Sequence, residues 1–61
     1  GEYWGVTVSE KSELTLVDLN GRLVQLQNLE IGFNAISRNS IPSGLYSAFI
    51  DKKYARKLIK L

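Results

Sequence analysis

The sequence predicts an all-β domain, a small antiparallel sandwich or barrel of about six short strands. Three observations carry this. Apolar and polar residues alternate with a period of two almost throughout, and no segment keeps helical spacing beyond one turn. Clusters of turn-forming residues recur about every 8–12 positions. The length of 61 residues leaves room for a single domain, 1–61, and no linker, repeat or low-complexity stretch divides it.

Tyr3 to Val8 reads as the first strand, closed by the polar turn Ser9-Glu10-Lys11-Ser12. Glu13 to Leu19 is the second, with Leu14 and Leu16 on one face. Asn20-Gly21 follows and is the strongest short hairpin signal in the chain, because a type I′ turn needs positive φ at both central residues. The return strand runs from Arg22 to Gln27. Leu29, Ile31, Phe33 and Ala35 then alternate with Glu30, Gly32 and Asn34, which predicts a half-buried strand with the first set inward. Ser37 to Gly44 is the longest loop; its Pro42-Ser43-Gly44 suits a tight turn, Pro42 presetting φ and Gly44 supplying positive φ. Leu45 to Ile50 is the most apolar strand and is expected in the middle of a sheet. Asp51-Lys52-Lys53 turns the chain into the last strand, Tyr54 to Leu61. The alternative for that segment is an amphipathic helix over Lys52 to Leu61, with Ala55, Leu58, Ile59 and Leu61 inward. The predicted core is Leu14, Leu16, Phe33, Tyr46, Ala48 and Ile50.

Composition removes several classes of chemistry. With no cysteine and no histidine, disulfides, the common zinc frameworks and Ser-His-Asp or Cys-His catalysis are excluded. No apolar run approaches the ~20 residues that span a bilayer as a helix. Gly21, Gly32 and Gly44 are isolated and none opens a helix, so there is no phosphate-binding loop. The carboxylates are Glu2, Glu10, Glu13, Asp18, Glu30 and Asp51, mostly in turns or on polar strand faces. Asp18 differs, because it shares parity with Leu14 and Leu16. An inward Asp just before a hairpin accepts hydrogen bonds from turn N–H groups or from an arginine, and Arg22 is the natural donor. A single carboxylate without a second acid or base is poorly equipped for catalysis. No catalytic, metal or cofactor residue is therefore assigned. A domain this short buries only about 60% of its unfolded surface, so it lives on its core alone or leans on a partner or a larger parent chain.

The net charge of +2 is polarised. Residues 1–51 hold Lys11, Arg22 and Arg38 against all six acidic side chains, a balance of −3, whereas Lys52, Lys53, Arg56, Lys57 and Lys60 give the last ten residues +5. Cations on a terminal strand blunt an exposed edge against aggregation. A basic patch also suits nucleic acid, but the sequence lacks the aromatics interleaved with basics on one sheet face that such barrels use. Tyr3, Trp4, Tyr46 and Tyr54 are the candidates for an aromatic platform. Tyr46 lies in the most apolar strand and reads as core, while Tyr3 and Trp4 are adjacent and face opposite ways on a strand.

Three stretches, taken in order, carry a family resemblance. They are Leu14-Thr15-Leu16-Val17-Asp18-Leu19-Asn20-Gly21-Arg22-Leu23-Val24, then Ile41-Pro42-Ser43-Gly44-Leu45-Tyr46, then Arg56-Lys57-Leu58-Ile59-Lys60. Residues 13–61 resemble the C-terminal sorting domain of the type IX secretion system of Gram-negative bacteria, whose motif positions fall here on Asp18, Asn20, Gly21, Arg22, Pro42, Gly44, Tyr46, Lys57, Leu58, Ile59 and Lys60. The resemblance implies an immunoglobulin-like antiparallel β-sandwich of about six to seven strands. It implies no enzymatic activity and no cofactor. It implies three partners: a covalently attached upstream cargo domain, an outer-membrane translocon, and a gingipain-like sortase that anchors cargo to surface lipopolysaccharide. The implied route runs through the periplasm to the outer cell surface or the medium, with no nucleic acid partner and no transmembrane segment. Two departures stand out. The family usually opens with an Asn-Pro-containing strand, missing here, which implies a domain lacking its first strand. Ala48-Phe49 is bulkier and less polar than the usual Val-Lys-like stretch, which implies a face that packs on something. The aromatic residues support a different reading, a carbohydrate-binding or accessory β-sandwich module of a secreted glycoside hydrolase, stacking sugars on Trp4, Tyr3 or Tyr54.

Overall fold

The computed structural model describes residues 3–39 and 41–61; Glu2 and Ser40, named above as a carboxylate and a loop residue, lie outside them. Six strands follow in order: β1 (Tyr3–Val8), β2 (Ser12–Val17), β3 (Leu23–Leu29), β4 (Gly32–Ser37), β5 (Gly44–Ile50) and β6 (Lys53–Lys60). They form two antiparallel sheets, β1-β4 and β3-β2-β5-β6. The fold is therefore all-β, a small sandwich, and the last segment is a strand where a helix was the alternative. Between the sheets lie Leu14, Leu16, Leu29, Ile36 and Ala48, with Trp4, Val6, Val8, Val24, Ile50 and Leu58 packed around them. The uninterrupted alternation in β2 and β5 puts Leu14, Leu16, Tyr46 and Ala48 inward as predicted. β5 is interior and β6 is an edge.

β4 has the opposite parity to the one its sequence suggests. Leu29 is buried, but as the last residue of β3, and Ile31 is exposed in the corner that follows. Gly32 leaves that corner at φ 101°. The Asn34 side chain ties the corner: its Oδ1 accepts from Glu30 N at 3.0 Å, and its Nδ2 donates to the carbonyls of Glu30 and Gly32. The corner shifts the alternation by one step, so Ile36 points into the core and Phe33 points out, 72% exposed. Phe33 thus leaves the predicted core. Its ring covers Gly5 on the neighbouring strand, where a Cβ would stand 2.6 Å from Cε1. Ile50 is half-buried, and the unpredicted Ile41 is buried.

The type I′ geometry expected at Asn20-Gly21 occurs at the other hairpin. The β2–β3 connection is a three-residue loop, Leu19-Asn20-Gly21, in which Gly21 N donates to Asp18 O and Asp18 N to Arg22 O, both at 3.0 Å. Only Gly21 has positive φ there, 80°, so the loop is a β-turn closed by a left-handed glycine and not the type I′ turn predicted for Asn20-Gly21. The type I′ pattern occurs at Asp51 and Lys52, with φ of 51° and 69°. Asp51 holds it there by bonding Glu13 twice, N to Glu13 O at 2.9 Å and Oδ1 from Glu13 N at 3.0 Å. Single extra residues bulge two strands: Val24 in β3 and Ala55 in β6. Ala48 faces the core, while Phe49 lies on the outer face of the four-stranded sheet against Tyr54, ring centroids 5.9 Å apart.

Candidate functional site at one end of the sandwich

The ladder registers bring together residues far apart in sequence. Val17 lies opposite Ser47, and Ser47 opposite Lys57. The Asp18–Arg22 turn, the loop from Arg38 to Ser43 and the end of β6 consequently share one end of the molecule. All eleven motif positions lie in or next to these three segments.

Each segment is stitched by its own residues. Asp18, half-buried at the end of β2, points its Oδ1 at the turn and accepts from Asn20 N at 2.9 Å and Arg22 N at 3.0 Å. The expected acceptor role is present, through the backbone of Arg22; no bond from the Arg22 guanidinium to Asp18 occurs among the described residues, and that side chain is exposed. In the second segment the buried Tyr46 donates its hydroxyl hydrogen to the Pro42 carbonyl, a tie of the kind a tyrosine corner makes in β-sandwiches. Gly44 carries φ 153°. In the third segment Lys60 is half-buried, and its Nζ donates to the carbonyls of Arg38 and Ile41, each at 2.5 Å. Sequence reasoning counted Lys60 with the free cations; it is a latch between β6 and the Arg38–Ser43 loop. Lys57 is exposed, Leu58 is half-buried, and Ile59 and Leu61 are exposed, so among these only Leu58 reaches the core.

The aromatic candidates do not assemble into one platform. Tyr3 is exposed on the outside of the β1-β4 sheet and Tyr54 on the outside of the other. Trp4 faces inward. Tyr46 meets it edge-on at 6.5 Å, and the Arg38 guanidinium carbon sits 5.5 Å from its ring centroid. Arg38 was absent from the sequence-derived site; a lone loop arginine gives no signal of the tryptophan it covers. The opposite end carries Lys11, Glu13, Glu30 and Asp51, with one loose ion pair, Lys11 to Glu30 at 3.9 Å. No cluster of three or more potential metal ligands occurs among the described residues. No helix in them is long and apolar enough to cross a membrane. Comparison with protein-family models, curated proteins and solved structures finds no match.

Proposed function

We propose that this chain is a non-catalytic recognition module, a C-terminal secretion and sorting signal carried by a larger secreted bacterial protein and read by a type IX translocon and sortase. The observation that supports the reading is the convergence at one end of the sandwich of Asp18–Arg22, Pro42–Tyr46 and Lys57–Lys60. A sorting signal needs a stable shape and a surface that is the same on every copy. Asp18, Tyr46 and Lys60 fix the local backbone there by hydrogen bonds, leaving Arg22 and Lys57 exposed to be recognised. Charged rim residues of that kind set partner choice and encounter rate.

The test is export. The domain, fused behind a signal peptide and a reporter, carries the reporter to the surface or medium of a host that has the type IX system. Deleting residues 54–61 strands it in the periplasm, since the deletion strips the β5 edge and removes the Lys60 latch. Arg56→Gln with Lys57→Gln leaves the fold intact, as both side chains are exposed. Normal export of that variant assigns those charges to edge protection alone, and wild-type export of the deletion ends the proposal. The carbohydrate-binding alternative predicts that polysaccharides quench Trp4 fluorescence; the Arg38 guanidinium over that ring argues against it.

A further inference from the structure

The two sheets are unequal, and the mismatch leaves a cleft. Two strands face four, so the inner face of the larger sheet extends past β1 on the β6 side. A cleft of about 640 Å³ opens there, with β1 as one wall, residues 55–59 of β6 as the other, and Leu14, Ala48, Ile50 and Leu58 on the apolar floor. The volume is that of a ligand site.

The two walls offer different chemistry. Among the described residues β1 pairs only with β4, over six residues in unbroken register. Its other edge is therefore a row of unpaired backbone N–H and C=O groups. Tyr3-Trp4-Gly5-Val6-Thr7-Val8 carries no charge, no proline and no bulge, none of the devices by which edge strands avoid taking up another chain. β6 carries them: the Ala55 bulge, and cations along its length. Arg56, opposite the inward Ala48, turns its side chain to the cleft, whereas Lys57, opposite Ser47, turns its own to the outer face; among the described residues no acidic side chain lines the cleft and no carboxylate pairs with Arg56.

We propose that this cleft takes up an extended polypeptide strand whose alternate, inward-facing residues are apolar save for one acidic residue, and which adds to the free edge of β1. Backbone hydrogen bonds to β1 supply affinity. The apolar inward side chains of the incoming strand settle on the floor, and its inward carboxylate meets Arg56. The six residues of β1 set the length of the occupant at about 20 Å. A second copy fits poorly: joining β1 to its counterpart about a two-fold axis would drive the two overhanging β6 strands, with the same cations, into one space. A nucleic acid would satisfy Arg56 but leave the backbone row of β1 unpaired. Strand uptake depends on the cleft alone, whether or not the domain is a sorting signal.

Two capped eight-residue peptides, one alternating Thr with Val and one alternating Thr with Ile, each with one inward Val or Ile replaced by Glu, added to the isotope-labelled 61-residue chain, test it by amide exchange. The expected result is exchange slowed about tenfold or more along β1, a blue shift of Trp4 emission, and affinity that falls with added salt. Methylating the backbone nitrogens that face β1, or replacing the acidic residue by Lys, weakens binding about tenfold or more. Arg56→Glu weakens it comparably and reverses the preference toward the Lys peptide. Four results overturn the proposal: undiminished binding of the N-methylated peptides, protection on the outer face of the four-stranded sheet in place of β1, protection of β1 by oligo-dT or by dimerisation in place of the peptides, and no binding of either parent peptide at about 1 mM.

Discussion

Replacing Asp18 by Ala removes the acceptor around which the β2–β3 turn is built. Two backbone donors, Asn20 N and Arg22 N, bond to its Oδ1 at 2.9 and 3.0 Å. A hydrogen bond to a charged group contributes about 1.5–3 kcal/mol, but these donors regain water when freed on an exposed turn, so about 1 kcal/mol each is the appropriate figure. The loss of about 2 kcal/mol is a large share of the roughly 3–9 kcal/mol available to a domain of this size. At about 4–8 °C per kcal/mol, Asp18→Ala lowers the melting temperature by about 8–16 °C. Asp18→Asn keeps an acceptor oxygen in the same place and suits the same turn, so it loses less than half of that. Thermal unfolding followed by circular dichroism compares the two variants, and amide exchange at Asn20 and Arg22 reports the bonds directly. An Ala variant that melts within about 3 °C of the parent would refute the reasoning, as would an Asn variant that falls as far as Ala.

Leu16 has no exposed surface, so Leu16→Ala costs about 2–5 kcal/mol and leaves much of the population unfolded by circular dichroism. Phe33→Ala, on the outer face, costs under about 1 kcal/mol; a loss as large as that of Leu16→Ala would mean that β4 presents its other face to the core. Lys52 holds φ 69° without being glycine, so Lys52→Gly relieves about 0.5–1 kcal/mol and raises the melting temperature by a few degrees. A lower melting temperature for that variant would contradict the strained-turn account.

The sequence was legible wherever alternation ran unbroken. β2 and β5 are continuous between clear turns, and their inward residues followed from period two. β4 was misread because the Glu30-Ile31 corner and Gly32 consume a step of the alternation, and that step is held by the Asn34 side chain, whose partners no pattern displays. The bulges at Val24 and Ala55 have the same effect in β3 and β6: one unpaired residue inverts the parity of the rest of the strand. The turn at Asp51-Lys52 was unreadable as type I′ because Asp51 tolerates positive φ but Lys52 does not favour it; its geometry depends on Glu13, 38 residues away. At the candidate site the turn motifs were visible one by one. Their gathering at one end follows from the β3-β2-β5-β6 order, which local spacing does not encode. Lys60 looked like one cation in a run and became a latch only when the Arg38–Ser43 loop folded over it.

The measurement that bears most directly on the central claim is the exported fraction of a reporter fused to this domain, compared between two charge reversals of equal size at opposite ends of the molecule. Arg22→Glu alters the exposed surface of the convergent end, and Lys52→Glu alters the exposed far turn. Neither side chain makes a hydrogen bond or ion pair among the described residues, so both variants should melt close to the parent. If the convergent end is what the translocon reads, Arg22→Glu cuts export about tenfold, the factor carried by ~1.4 kcal/mol of recognition, and Lys52→Glu leaves it unchanged. Equal export of both folded variants, or no export of the unaltered domain, would contradict the account.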